Sequence, residues 1–349
     1  MSENPLNPLP KSVGSAQRNK LLMNYRQLGK TGLNVSALGF GCGAVGGLLV
    51  RGERAEMVRT VARAIELGIN YFDTAALYGD GKSETNLGSV LDELKSDVIV
   101  GTKVRLSASE MDNIEAAIFQ SVENSLCRLR RETIDLIQLH NSLSAQHQPG
   151  RDWVTADDVE TAVQAFEKLA SAGKVRHWGI NGLGDTPAIH QAITGSAQTI
   201  QCCFNLLNPS AGRPVSADFH FQNYHQLIDK AAAKGIGVIA IRVLAGGALS
   251  GSTARHPNAM QMVDPIASHS DFAEDVAWAQ RFNFLVAEGY ASTLIEAAIR
   301  FVIGKPEIST TLVGISNLEQ LEQAVEAANK GELPFEARAR LEPIWAANK

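Results

Sequence analysis

Four side chains in this sequence can work together on a proton: Asp73, Tyr78, Lys103 and His140. Asp73 closes the apolar run Asn70-Tyr71-Phe72-Asp73, Lys103 closes Val100-Gly101-Thr102-Lys103, and His140 closes Ile137-Gln138-Leu139-His140. Tyr78 follows Asp73 within one short turn. A buried ammonium needs a counter-charge, which Asp73 can give Lys103. A cation beside a phenol stabilises the phenolate, which suits Tyr78 to general-acid service near neutral pH. His140 can hydrogen-bond a carbonyl oxygen as negative charge develops on it. Such a set lacks an electron source. Protonating a carbonyl oxygen is productive only when hydride reaches the carbon, and nicotinamide is the evident donor.

Singly, each residue has an ordinary structural reading. An Asp after a strand caps a turn, a Lys at a strand end is solvated, and a His packs. Their joint placement at the ends of successive strands is what points to a site.

The elements that must position them alternate. Short runs apolar on both faces fall at 37–42, 69–74, 98–104, 134–140, 175–181, 199–205, 237–244 and 310–315, as strands of a buried parallel sheet do. Between them, apolar residues at three- and four-residue steps predict helices at 56–67, 84–94, 113–131, 157–172, 187–194, 224–234 and 318–328. Gly68, Gly173 and Gly235 end three of these as left-handed caps. The pattern predicts an α/β fold, a (β/α)8 TIM barrel, whose catalytic groups project from the C-terminal strand ends. An open doubly wound sheet is the rival, and the absence of GxGxxG after a first strand weighs against it. The stretch 24–36, with Gly29-Lys30-Thr31-Gly32 at its turn, predicts an N-terminal β-hairpin across the barrel bottom. The long segment 252–290 predicts an extra helix over 271–286 near the active rim.

The chain has 349 residues, 45% hydrophobic and 20% charged, which is the make-up of a folded protein. Its 32 Lys+Arg against 37 Asp+Glu give a net charge of −5, no field for nucleic acid or anionic membrane. No apolar run is long enough for a membrane span. Cys42, Cys127, Cys202 and Cys203 have neither disulfide-framework nor zinc spacing, so no metal is expected. Residues 1–22 are polar with Pro5, Pro8 and Pro10, and read as a mobile extension before one domain over 23–349. They lack the apolar core of a secretory signal, so a cytoplasmic location is expected.

The chain resembles the aldo-keto reductase superfamily. The likeness runs from Tyr25 to Ala328. Gly39-Phe40-Gly41-Cys42-Gly43 is similar to the family's first strand. Phe72-Asp73-Thr74-Ala75 with Tyr78-Gly79 and Ser83-Glu84 is similar to its most specific signature. Thr102-Lys103, Asp135-Leu136-Ile137-Gln138-Leu139-His140 and Gly173-Lys174-Val175-Arg176 follow in the family's order. The resemblance implies a barrel that binds NADP(H) or NAD(H) without a Rossmann domain, with Asp73, Tyr78, Lys103 and His140 as catalytic tetrad and a small carbonyl or alcohol as substrate.

It also implies cofactor contacts. Gly41, Cys42 and Gly43 belong to them at the first strand. Asn181 stands in the family's Ser-Asn position, and Gln201 matches the other carboxamide ligand. Ile241 falls where the family stacks an aromatic ring on the nicotinamide; Arg242 takes that place if the register slips by one, and Leu244 follows. Val313, Gly314, Ile315, Ser316, Gln320 and Gln323 match the adenosine-phosphate motif, where Ser316 and Asn317 can donate to a phosphate. The family's 2′-phosphate Arg is Gln320 here, so the cation must come from elsewhere, with Lys305 or an Arg of segment 252–290 as candidates. NADP(H) is favoured on family grounds. Trp153, Phe272, Trp278, Arg51 and His147 are candidate substrate contacts. Two other readings remain at this stage: a cofactor-binding, redox-sensing regulatory subunit of a channel, and a barrel sugar isomerase or aldolase.

Overall fold

Every expected barrel strand is present, and the eight close on themselves. The structure, a computed structural model, describes residues 23–268 and 271–346; the expected extension over 1–22 lies outside them. Two short strands come first, β1 (Tyr25–Gln27) and β2 (Asn34–Ser36). The barrel strands are β3 (Leu38–Gly41), β4 (Tyr71–Asp73), β5 (Ile99–Val104), β6 (Ile134–Leu139), β7 (Val175–Gly182), β8 (Thr199–Cys203), β9 (Gly237–Ile241) and β10 (Ile308–Gly314). They pair in parallel in chain order, and β10 returns to β3. The strands are almost wholly buried, because helices cover the outside and side chains fill the inside.

The β1–β2 hairpin stoppers one end. Leu28 and Val35 pack with Tyr71, Leu136, Ile239 and Leu312 in a small apolar cluster of their own. Gly29 has φ 55°, and a Cβ there would stand 2.3 Å from the Gly237 amide nitrogen, so the turn needs glycine. Arg26 ties the plug down by donating to the carbonyls of Ile308 (2.7 Å) and Ile303 (2.8 Å).

Gly68, Gly173 and Gly235 have φ of 93°, 74° and 76°, the expected left-handed caps. Three differences from the sequence reading stand out. A helix at Leu294–Ile303 separates β9 from β10; it is mostly buried, and its polar stripe is the pair Glu296 and Arg300, bonded at 3.0 Å one turn apart. The helix expected over 271–286 breaks into Phe272–Ala279, a turn at Gln280–Phe282 and Phe284–Ala287. Two short helices, Phe335–Ala339 and Leu341–Ala346, follow the expected last one. They dock through Trp345, whose indole N–H donates to the Leu206 carbonyl at 2.7 Å. Among the described residues, no helix is long and apolar enough to cross a membrane.

Candidate active site

The four candidate residues meet at one end of the barrel. Asp73 is the last residue of β4, Lys103 lies next to the end of β5, and His140 directly follows β6. Strand register brings these ends level: Asp73 pairs with Gly101, and Lys103 with Gln138. Tyr78 is returned to them by a tight turn in which its amide donates to the Ala75 carbonyl at 3.1 Å.

Lys103 is 1% exposed and uses all three ammonium hydrogens. They go to the Asp73 carboxylate, the Thr74 carbonyl at 2.7 Å and the Tyr78 oxygen at 3.2 Å. Burial pulls the Lys103 pKa down, but the charge of Asp73 and the bonds to Asp73 and Tyr78 outweigh it, and the net shift is upward. The second Asp73 oxygen accepts from Gln201 Nε2 (2.7 Å) and the Tyr71 hydroxyl (3.2 Å). Burial, then the Asp73 charge, pushes the Tyr71 phenol well above its ordinary value, so it remains a donor. The buried pair is thus hydrogen-bonded on both sides, the condition for keeping two charges out of water.

His140 stands edge-on to Tyr78, ring centroids 5.7 Å apart and planes at 84°. Burial first, then the Lys103 and Arg105 charges, pushes its pKa well below 6.5. The imidazole is neutral at physiological pH. Its Nδ1 is buried without a partner, as is Asn181 Oδ1.

A cavity of about 380 Å³ opens over these groups. Asp73, Tyr78 and His140 line it, while Lys103 lies behind them. Gly41, Gly43, Asn181, Gln201, Ile241, Arg242, Leu244, Val313, Gly314, Ile315, Ser316, Gln320 and Gln323 also line it. Cys42, directly after β3, does not: its side chain is buried in the core, the thiol 3.7 Å from the Phe40 carbonyl. Both Ile241 and Arg242 reach the wall; Arg242 has a left-handed backbone, φ 56°, held by Asn205 Nδ2 on its carbonyl at 2.9 Å.

Several expectations move. Ser316 has no idle donors: its hydroxyl gives to the Gly46 carbonyl (2.7 Å) and its amide to Gln320 Oε1 (3.0 Å). Asn317 caps its helix by accepting from the Gln320 amide at 2.9 Å. Lys305 is at the hairpin end, paired with Asp229 (2.5 Å) and Glu307 (2.9 Å). The arginine of segment 252–290 that does reach the cavity is Arg255. Arg51 instead braces the chain at Asn258, and His147 pairs with Asp158 at 2.6 Å. Trp153, Phe272 and Trp278 are absent from the cavity wall.

The sequence reading also passed over parts of the site's support. Glu84, fully buried, accepts from Thr102 (2.5 Å) and Arg128 (2.6 Å), which ties the helix after Tyr78 to β5. Tyr71 could have been found, since strand period two puts it on the same face as Asp73. The Glu84 partners, far apart in sequence, left no local signal.

The residues fit a nicotinamide cofactor. Asn181 Oδ1 is an orphaned amide acceptor on the wall next to a proton-transfer set, which suits a carboxamide N–H. Glycines at 41, 43, 46, 246 and 247 bring backbone to the cavity wall.

Residues 37–346 match the family model described as the Aldo/keto reductase family. The chain is 29% identical to L-galactose dehydrogenase of Arabidopsis thaliana, across 92% of this chain and 95% of that one. It is 27% identical to the uncharacterized oxidoreductase YqkF of Bacillus subtilis, across 90% and 94%. The holo form of aldo-keto reductase AKR11C1 from Bacillus halodurans superposes with a TM-score of 0.68 at 25% identity, covering 93% of this chain and 97% of that one.

Proposed function

The chain belongs to the aldo/keto reductase family, and from that premise we propose that it interconverts small aldehydes or ketones and their alcohols, with NADP(H) favoured over NAD(H). The observation that carries this reading is the Lys103 ammonium held between Asp73 and the Tyr78 oxygen, with that oxygen on the cavity wall. Asn181, Gln201, Ile241 and the β10 end are the residues that would hold the cofactor. When bound there, a nicotinamide supplies hydride to a carbonyl carbon in reduction and accepts it in oxidation.

The chain's own part is the proton. Tyr78 donates its hydroxyl proton to the carbonyl oxygen, and Lys103 stabilises the negative charge left on the phenol oxygen. Asp73 keeps Lys103 charged and aimed. His140, being neutral, offers a ring N–H to the same carbonyl oxygen without adding a second cation beside Lys103. In the oxidising direction Tyr78 takes the alcohol proton back.

The test is cofactor oxidation by a panel of small aldehydes and ketones, run with the wild type and Tyr78→Phe. The wild type is expected to turn over, and the variant to lose about 10²- to 10⁴-fold in kcat while binding cofactor normally. Equal rates in the two proteins would refute the assignment of Tyr78.

A further inference from the structure

The cavity wall carries two guanidiniums that proton transfer does not use. Arg242 and Arg255 flank the Gly246-Gly247 turn. A Cβ on Gly246 would stand 3.1 Å from Arg242 Nη1, and one on Gly247 would stand 2.8 Å from Arg255 Nη1. These glycines have φ of 69° and 110°, so the turn needs glycine for its backbone as well as for space. The two arginines are therefore packed against one bend of chain.

Arg255 is fixed from three sides. Its Nε donates to the Met260 carbonyl (2.5 Å), its Nη1 to the Gly246 carbonyl (2.8 Å), and its plane covers the Phe272 ring at 5.0 Å. Those two bonds leave three of the five guanidinium hydrogens unassigned. Arg242 donates to the Asp264 backbone carbonyl at 3.3 Å. Neither arginine forms an ion pair among the described residues, where the other partly buried cations commonly do. The carboxylates of Asp264 and Asp275 act on the Arg242 charge from a distance, whereas the charge acting on Arg255 is that of Arg242, and an anion there would relieve it. Gln320, Gln323 and Ala324 line the same cavity, yet the Ser316 donors beside them are already engaged within the chain.

We propose that Arg255, with Arg242 across the Gly-Gly turn, is a phosphate site, and that the phosphate it takes is the 2′-phosphate of NADP(H). Arg255 then sets cofactor preference from the loop after β9, in place of a cation on the helix after β10. This rests on the reductase reading above. A rigid guanidinium with paired N–H groups suits a terminal phosphate, which offers several oxygens to one fork.

The test is a fluorescence titration of the full chain with NADPH, NADH, adenosine 2′-monophosphate and adenosine 5′-monophosphate. It is repeated on Arg255→Ala and on Arg255→Gln, which can still bond the Gly246 carbonyl. The wild type is expected to prefer NADPH, and adenosine 2′-monophosphate to displace it better than the 5′ isomer. Each variant is expected to weaken NADPH about 30-fold, as loss of one charge-assisted contact does, and NADH less than about twofold. Equal losses for both cofactors would overturn the proposal in favour of the shared diphosphate. Unchanged affinities for both would overturn it too, leaving an anionic substrate as the other claimant. Either result leaves the reductase reading standing. Binding of neither cofactor by the wild type would remove both. The competition between the two monophosphates needs no variant: absence of a preference for the 2′ isomer overturns the proposal even if both substitutions disturb the loop.

Discussion

Two buried aspartates, each 4% exposed, sit at opposite ends of the barrel's strands and do different things. Asp135 is the second residue of β6. It accepts from the Val100 amide (2.9 Å) and from Arg131 (3.0 Å), and pairs with Arg176 (2.9 Å). Arg131 also reaches the Val98 carbonyl at 2.9 Å. That cluster closes on backbone and on itself, so it fastens β5 to β6. Asp73 is the last residue of β4, and its cluster has the same ingredients. The difference lies in one donor: the third Lys103 hydrogen goes to a phenol oxygen on the cavity wall instead of to more backbone. Proton chemistry requires a reactive atom within reach of substrate, and only the second arrangement supplies one. The contrast follows the barrel rule that the C-terminal strand ends carry chemistry and the other end carries stability.

The comparison can be broken at either end. Asp135→Ala is expected to lower stability by about 2–4 kcal/mol, because it orphans the buried Val100 amide and takes the carboxylate from the half-buried Arg131. At this chain length that is a fall of about 3–6 °C in Tm. Turnover per folded molecule should stay within about twofold of wild type, and a calorimetric scan beside a kcat measurement checks both.

Gly43→Ala sharpens the other end. The added methyl would stand 3.3 Å from the Tyr78 ring, so the ring must shift by a few tenths of an ångström. A kcat loss of about 3- to 10-fold with little change in Tm is expected, since small misplacements of a reacting group are costly. Steady-state kinetics at saturating cofactor reads it.

The smallest effect concerns His140. Its folded pKa is held below 6.5. Below pH 6.5 the unfolded chain takes up the proton first, so stability is full above that value and falls as pH drops beneath it, until the folded group also titrates. Melting of wild type and His140→Asn from about pH 5 to 8 should show this slope in the wild type and its loss in the variant. No break near pH 6.5 in kcat/KM is assigned to His140.

Much of this was legible because barrel strands announce themselves twice, by apolar runs and by the residues that close them. Asp73, Lys103 and His140 could be placed because each ends such a run, and the hairpin plug because of its Gly-Lys-Thr-Gly turn. The helix at Leu294–Ile303 was not placed, although Glu296 and Arg300, four residues apart, mark a polar stripe on it; the ten-residue run is short and otherwise apolar. Cys42, carried over with its motif, directly follows β3 and turns its side chain into the core. Lys305 and an unspecified Arg of segment 252–290, which holds Arg255 and Arg281, were equal candidates from sequence alone. Only the long-range fold puts Arg255 beside the Gly-Gly turn and Lys305 at the plugged end.

The difference between the two clusters rests on the Lys103 ammonium, and Lys103→Met tests it most directly, because methionine keeps the length of the stem and removes the charge. Single-turnover reduction should be followed at saturating cofactor, with Tm measured on the same preparation. The rate is expected to fall at least about 10²-fold below wild type in protein that remains folded. A rate near wild type, or a loss no larger than the fraction unfolded, would contradict it, and would mean that Lys103 holds strands together as Arg131 does.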